Sequence, residues 1–362
     1  MAAPPRPLRE PCSAVAAVTR AAIAFREGLP VVIRDPEGTS VAFALETVAP
    51  TSLADVKEGV LLLSHARART LKIRLYTPEV VALPLTVGPS LPQLLAIADP
   101  TLDLAEPLKG PFAPLRRALP PGSAAAVRLA KLSGLLPAAL VKALHHKPCP
   151  EILEVSADDI RAYEEESVET LTLVTRAHVP LEGAERAELV AFRARDGGPE
   201  HYAILLNAPS PNRPVLTRLH SECFTGDLLG SLRCDCGPQL RGAIEAMGNA
   251  AGGIVLYLAQ EGRGIGLINK LRAYRLQDQG FDTLEANERL GFEPDERLYR
   301  VAAKMLSLLG YSSVRLLTNN PDKVKALQEA GIQVVERVPQ RFAATPHNRN
   351  YLEAKLRAGH LP

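Results

Sequence analysis

Three cysteines constrain this chain more than any other part of its sequence. Cys223, Cys234 and Cys236 lie within fourteen residues of a 362-residue chain that has five cysteines in all. Thiolates grouped this closely favour a metal over a disulfide, and three protein ligands are typical of catalytic zinc, whose open fourth position holds a water. His220 is a candidate fourth ligand that would close the site and make it structural. Three unrelated buried cysteines are the simpler alternative.

The composition is that of an ordinary globular chain. Apolar residues make up 46% of it, charged residues 23%, and the net charge is +2, so the total charge indicates no polyanion-binding surface. The sequence has no run of roughly 20 apolar residues that would span a bilayer, and its proline-rich start has no apolar core of a signal peptide. The odd number of cysteines fits a reducing compartment. We expect a cytoplasmic protein that binds neither nucleic acid nor membrane.

Hydrophobic patterning predicts an α/β (mixed α+β) protein of two domains. Residues 1–12 are proline-rich and predict a disordered leader. Residues 13–167 form the first predicted domain, in which helical patterns alternate with short apolar strands and ten prolines between residues 77 and 121 predict loops. An acidic helix capped by Ser156 leads to the second predicted domain, residues 168–362.

Two loops of the second domain have the features of anion sites. Residues 260–266 form a glycine-rich loop that enters a helical pattern, and Arg263 lies inside the loop. Glycines alone often mark only a tight turn, but an arginine and a helix N-terminus both favour an anion. Residues 318–323 form a strand-to-helix turn that offers a hydroxyl, helix amides and Lys323. Both loops therefore suit phosphate groups.

Taken together, these motifs resemble GTP cyclohydrolase II, the enzyme that commits GTP to riboflavin synthesis. In family order, the motifs that carry the resemblance are residues 218–223, 232–237, 260–263, 276–280, 295–297, 317–321 and 335–339. The resemblance implies a GTP cyclohydrolase II-like fold for the second domain. It also implies a net reaction in which GTP and water give formate, diphosphate and a diamino-ribosylamino-pyrimidinone 5′-phosphate.

The resemblance assigns the ring-opening chemistry to the cysteine run. It implies that the three cysteines hold one zinc ion per subunit, which supplies hydroxide to C8 of guanine. Tyr274 matches a family residue near the reacting ring and is expected to orient the water. Three thiolates weaken the acidity of a metal, and we expect Arg233 to offset part of their negative charge.

Release of diphosphate is a separate chemistry at the α-phosphorus. Arg297 matches the nucleophile proposed for the family, and Asp295 matches its proton acceptor. A guanidinium has a pKa above about 12 and no lone pair to spare, so electrostatic stabilisation by Arg297 is the alternative role. The resemblance also implies magnesium, which would neutralise the leaving diphosphate.

The other residues that match the family's substrate contacts are expected to bind GTP. They are Arg218, Leu219, His220, Ser221, Glu222, Gln239, Glu261, Gly262, Arg263, Thr283, Thr318 and Lys323. Among them, Arg263 and Lys323 suit phosphates, and Glu261 suits either the N–H groups of guanine or magnesium. The family also implies a homodimer.

Residues 13–165 faintly resemble 3,4-dihydroxy-2-butanone 4-phosphate synthase, which is often fused ahead of this enzyme. The similarity rests on residues 24–28 and 127–138. The acidic magnesium loop of the synthase is reduced to Asp35 and Glu37, and no Arg-Pro-Gly-His segment precedes the proline-rich region. We expect a degenerate domain without synthase activity, kept for stability, dimerisation or regulation.

Two other functions fit parts of the pattern. A paralogue of the same fold in another pathway, such as pyrimidine catabolism, would be favoured by loss of Tyr274, Asp295 or Arg297, and none of these is lost. A non-enzymatic zinc module that binds nucleic acid needs a fourth ligand and clustered basic residues. The near-neutral charge argues against it.

Overall fold

The structure is a computed structural model that describes residues 13–85, 88–340, 356, 357 and 359. The predicted leader lies outside these residues. Among them, no helix has both the length and the apolar character needed to cross a membrane. Regular structure within the described ranges falls into two sheets, one in each half of the chain.

The front half (residues 13–169) is built on a six-stranded sheet in the order β4-β3-β5-β2-β1-β6. Its elements are α1 (Ala14–Arg26), β1 (Val31–Asp35), β2 (Gly38–Ala44), β3 (Val60–Ser64), α2 (His65–Thr70), β4 (Val80–Pro84), α3 (Leu91–Ala98), α4 (Ser123–Leu132), β5 (Ala138–Leu144), β6 (Leu153–Ser156) and α5 (Ala157–Glu169). The strands pair antiparallel except for β1 and β6, which are parallel.

Alternating side chains cover both faces of the front sheet, as the two-residue period of a strand dictates. Ala42 and Ala44 of β2 face a core shared with α1, α4 and α5, whereas Val41 and Phe43 face a second core with α2 and α3. Helix α1 begins at its cap, Ser13, whose side chain accepts a hydrogen bond from a backbone N–H of the first turn. The front half is therefore a layered α/β unit with buried faces on both sides of the sheet.

The proline-rich stretch contains more regular structure than its composition predicts, because β4 and α3 both lie inside residues 77–121. Pro84 ends the strand, and Pro92 lies in the first turn of the helix, where a backbone N–H has no intrahelical partner. Proline therefore interrupts neither element. The expectation of loops is wrong for these residues.

The back half (residues 170–340) is built on a seven-stranded sheet in the order β13-β12-β10-β11-β9-β8-β7. Its elements are β7 (Thr172–His178), β8 (Ala187–Arg193), β9 (His201–Leu206), β10 (Val215–Ser221), α6 (Cys236–Gly248), β11 (Gly253–Leu258), α7 (Gly266–Asp278), α8 (Thr283–Arg289), α9 (Arg300–Leu308), β12 (Ser313–Leu317), α10 (Pro321–Glu329) and β13 (Gln333–Val338). The two mixed sheets confirm the predicted fold class. The predicted domain boundary near residue 168 falls in the last turn of α5 and stays a prediction.

Three neighbouring parallel strands, β12, β10 and β11, determine where the site forms. Open α/β sheets bind ligands beyond the carboxyl ends of such strands. Cys223 lies just after β10, Glu261 just after β11 and Thr318 directly after β12. The motifs that are far apart in sequence therefore meet at one edge of the sheet.

The two halves share an apolar contact centred on Leu136, which is 2% exposed. The other buried members of its cluster belong to the back half and include Ile265, Leu276, Leu290 and Phe292. In addition, α2 packs against α8. The front half is therefore packed against the helices that line the back-half pocket.

Candidate active site

A cavity of about 440 Å³ opens at the carboxyl ends of β10, β11 and β12. Every residue expected to bind GTP lines it, as do the three cysteines, Tyr274 and Arg297. Asp295 is the one expected site residue that is not part of the lining, and it lies in contact with Arg297. The structure therefore brings the expected site residues together in one pocket and its immediate surroundings.

The cysteine run has the geometry of a metal site. The Sγ atoms of Cys223, Cys234 and Cys236 all lie within 4.8 Å of one another. The distance from Cys223 Sγ to Cys234 Sγ is 3.7 Å. A tetrahedral zinc with Zn–S bonds of about 2.3 Å separates its sulfurs by about 3.8 Å, so the three side chains fit this ion.

Gly226 allows the three thiols to converge. A Cβ atom on Gly226 would lie 2.8 Å from Cys234 Sγ and 2.9 Å from Cys223 Sγ, which is too close for any side chain. The Gly226 N–H group also donates a hydrogen bond to Cys223 Sγ at 3.3 Å. The residue therefore provides both the space and one of the donors that the thiolates require.

His220 is hydrogen-bonded to Asp227 and is not part of the candidate metal group. Its Nε2 atom lies 3.0 Å from Asp227 Oδ2, and the same carboxylate accepts hydrogen bonds from the Cys223 N–H and the Tyr257 hydroxyl, each at 3.0 Å. Burial lowers the pKa of His220. Within the described ranges the candidate metal group consists of the three cysteines alone, so the structure does not support the closed four-ligand alternative.

Lys270 is the cation beside the thiolates, and sequence reasoning missed it. Its Nζ atom donates to Cys223 Sγ at 3.1 Å, to Thr225 Oγ1 at 3.0 Å and to Glu261 Oε1 at 2.8 Å. Burial alone would lower the pKa of Lys270, but Glu261 and Cys223 outweigh it and raise the pKa. Lys270 could have been found from its position four residues before Tyr274, because residues at that spacing lie on one face of a helix.

Arg233 contacts Asp278 and the Tyr274 ring. Its guanidinium forms an ion pair with the exposed carboxylate of Asp278 at 2.5 Å and lies 5.0 Å from the centroid of the Tyr274 ring. The expectation that Arg233 offsets part of the thiolate charge stays a prediction, and Lys270 is the cation that contacts a sulfur directly. The Tyr274 hydroxyl lies 3.4 Å from Thr225 Oγ1, and burial raises the pKa of the phenol, which keeps it protonated near neutral pH.

Cationic side chains also line the pocket. Arg218 is buried, which lowers its pKa to about 10, and its guanidinium donates to Gln239 Oε1 at 2.5 Å. Lys323, on the first turn of α10, donates to the Leu219 carbonyl at 2.8 Å. Arg263 is held in the left-handed backbone region with φ +64°. These side chains make the pocket suitable for phosphates.

Asp295 and Arg297 form a two-point ion pair in a segment without regular structure. Arg297 Nε donates to Asp295 Oδ1 at 2.8 Å, and Arg297 Nη2 lies 2.5 Å from Asp295 Oδ2. Partial burial opposes ionisation of Asp295, but the hydrogen bonds and charge of Arg297 outweigh it and lower the pKa of the carboxyl. Both groups are therefore charged near neutral pH.

The chain is similar to known proteins along most of its length. A sequence model described as GTP cyclohydrolase II matches residues 172–339. GTP cyclohydrolase-2 of Azospirillum brasilense is 48% identical over 371 residues, which cover 96% of this chain and 94% of the relative. GTP cyclohydrolase-2 of Azotobacter vinelandii is 58% identical over 165 residues, which cover 45% of this chain and 79% of the relative.

A relative with a different name reaches into the front half. Riboflavin biosynthesis protein RibBA of Bacillus cereus is 42% identical over 253 residues, which cover 66% of this chain and 63% of that protein. A match of this extent is longer than the back half and therefore includes part of the front half. Together with the nearly full-length similarity to the Azospirillum relative, it shows that the chain belongs to the GTP cyclohydrolase II family of riboflavin biosynthesis.

Proposed function

We propose that this pocket carries out both chemistries of the GTP cyclohydrolase II reaction: opening of the imidazole ring at the cysteine cluster and release of diphosphate beside Arg297. Release of C8 as formate breaks two carbon–nitrogen bonds and consumes two waters, and a third water cleaves the bond between the α- and β-phosphates. The observation that carries the proposal is that one cavity joins the three thiols to the cationic side chains.

Cys223, Cys234 and Cys236 would hold the zinc ion, which when bound supplies hydroxide near neutral pH. Lys270 offsets part of the thiolate charge through its contact with Cys223 Sγ. Tyr274 keeps its proton and is placed to donate a hydrogen bond to water or to the guanine ring. The ring-opening part of the pocket is therefore assigned to α7 and the cysteine run.

Most of the hydrogen-bonding capacity of Glu261 is used within the protein. Its carboxylate already accepts hydrogen bonds from the backbone N–H groups of Phe224 at 2.6 Å and Gly262 at 2.8 Å, and from Lys270. Each carboxylate oxygen can accept two hydrogen bonds, so these three contacts take most of the capacity of the group. We therefore retain a contact with guanine as the proposal for Glu261 and assign magnesium to the phosphates of GTP.

At the α-phosphorus we assign electrostatic stabilisation to Arg297. A carboxyl whose pKa is lowered by the neighbouring guanidinium is a weak base, so Asp295 is poorly suited to remove a proton from Arg297. The two-point ion pair instead holds the guanidinium in a fixed orientation toward the pocket. Asp295 is thus a positioning residue for Arg297.

The test follows formate and diphosphate separately with the purified, zinc-replete chain, GTP and magnesium. We expect the wild type to release both in equal amounts, and the Cys234→Ser variant to lose zinc and formate. With GTP labelled at the α-phosphorus, quenching with a denaturant at mildly alkaline pH, where a phosphorus–nitrogen bond survives, should leave no label on the protein, and a labelled protein would restore Arg297 as nucleophile. Absence of both products from the wild type would contradict the proposed function.

A further inference from the structure

The segment that carries Asp295 and Arg297 is tied to the front half by the residue between them. Glu296 Oε1 accepts a hydrogen bond from Lys131 Nζ of α4 at 2.6 Å, and both side chains are largely shielded from solvent. The same oxygen accepts the Glu293 N–H at 2.8 Å, and the Glu296 N–H donates to the Arg263 carbonyl at 3.0 Å. Glu296 thus connects the front half to the segment that carries Asp295 and Arg297 and to the loop that carries Arg263.

Lys131 is itself fixed. It lies on α4, whose Ala126, Leu129 and Ala130 are fully buried in the core of the front half. Its ammonium also lies 5.7 Å from the centroid of the Phe292 ring, just ahead of the segment. The irregular segment of the back half is therefore anchored to a helix that is packed into the core of the front half.

Helix α7 has a second anchor of the same kind. Arg272 Nη2 lies 2.8 Å from Glu46 Oε1 of the front half, and the Leu136 N–H donates to Glu46 Oε2 at 2.7 Å. Asn269, which is fully buried, donates to the Gly134 carbonyl at 3.0 Å. The helix that presents Tyr274 to the pocket is therefore fastened to the front half through neighbouring residues.

We propose that the front half is a positioning scaffold for the cyclohydrolase site. Lys131 holds the Asp295–Arg297 segment, and Glu46 holds α7, so each anchor serves one of the two chemistries. Both are positioning residues, because neither lines the pocket. The inference rests on the proposed function, since it assumes that ring opening and diphosphate release occur at these two places.

The test compares Lys131→Gln with Arg128→Gln. Arg128 lies one turn earlier on α4 and forms its ion pair with Glu164 inside the front half, so this variant loses the same charge without touching the segment. We expect Lys131→Gln to lower kcat for diphosphate release about tenfold with little change in KM, because displacement of an aligned group slows the chemical step. Arg128→Gln should match the wild type, and Lys131→Arg should recover most of the rate.

Glu46→Gln tests the second anchor through the product ratio. Loosening α7 should lower formate relative to diphosphate, and GMP should accumulate, because hydrolysis at the α-phosphorus without ring opening gives GMP. Zinc content and melting temperature are measured for each variant. A general loss of folding would lower zinc content and both products together. Slower diphosphate release in Lys131→Gln and a lower ratio of formate to diphosphate in Glu46→Gln would then both be missing, and that result would overturn the proposal.

A double-mutant cycle guards against a variant that folds poorly. Glu296→Gln removes the Lys131 contact from the other side, and the double variant should be no slower than the slower single variant. Additive losses, or a Lys131→Gln variant as fast as the wild type, would overturn the scaffold. A wild type that fails to release either product would instead contradict the proposed function.

Discussion

Gly226 lies so close to the thiols that its lack of a side chain has a measurable consequence. In Gly226→Ala the new methyl group would overlap Cys223 Sγ and Cys234 Sγ, so the thiols must separate. We expect zinc affinity to fall by about 10- to 100-fold, as it does when the surroundings of metal ligands are disturbed. Competition with a chromophoric chelator measures the affinity.

The matched control for Gly226→Ala is Gly230→Ala. Gly230 has φ +66°, and no atom lies within 4 Å of the place that an added methyl group would take, so this variant has backbone strain without a clash. It should lower the melting temperature while leaving zinc affinity close to that of the wild type. Equal zinc affinity in the two variants would show that the space beside the thiols is not limiting.

Individual residues show where sequence reasoning ends. The cysteine spacing predicted the three candidate ligands, which the structure places together. The orientation of His220 could not be predicted, because it depends on a hydrogen bond with Asp227. Histidine and aspartate can each pair with many residue types, so the sequence does not indicate this pair. Lys270 could have been predicted, because its helical spacing from Tyr274 is visible in the sequence. The charge beside the thiolates was assigned to Arg233 only because Arg233 is adjacent in sequence to Cys234.

Strand β9 begins with a histidine, His201, that makes the back half sensitive to acid. Burial lowers the pKa of His201 to about 4, and its Nδ1 atom accepts the Ala259 N–H at 3.0 Å. The unfolded chain, with a pKa near 6.5, binds a proton first as pH falls. The stabilisation is therefore complete above about pH 6.5 and is lost as the pH approaches 4.

We expect His201 to cost the wild type about 1 kcal/mol of unfolding free energy between pH 7.5 and 5.5. His201→Asn keeps an acceptor for the Ala259 N–H and removes the titration, so its loss over the same interval should be smaller by that amount. Urea unfolding at the two pH values measures the difference. Identical pH dependence in both proteins would contradict this assignment.

Among the elements, periodicity predicted those whose buried faces are apolar throughout. Helix α5, for example, begins directly after the cap that the sequence indicated at Ser156. Strand β10 was not predicted, because its buried positions include Arg218 and His220, polar residues that serve the pocket at its carboxyl end. The residues that make β10 functional are the ones that hide its strand pattern.

At the scale of the whole molecule, the packing of the two halves was beyond prediction. Lys131 and Glu296 are 165 positions apart, and Glu46 and Arg272 are 226 apart. No periodicity or motif connects residues at such separations. The sequence indicated two domains, but the contact that makes one a support for the other depends on three-dimensional arrangement alone.

Leu136 makes this coupling measurable by calorimetry. Because the other buried residues of its cluster all belong to the back half, we expect the wild type to unfold in a single transition. Leu136→Ala should cost about 2–5 kcal/mol and separate the trace into two transitions. Leu129→Ala, in the core of the front half, should instead shift the whole trace. Two transitions in the wild type would show that the halves are not coupled.

The position of Leu136 also bears on how such a chain can change over generations. If the front half has no reaction of its own, as the reduced acidic loop at residues 35–39 predicts, substitutions in that loop leave the cyclohydrolase site untouched. Substitutions at Leu136 would instead expose apolar surface on the back half. On that prediction, a chain of this kind can change residues 35–39 but must keep the contact at Leu136, and deletion of the front half would lower the cyclohydrolase activity.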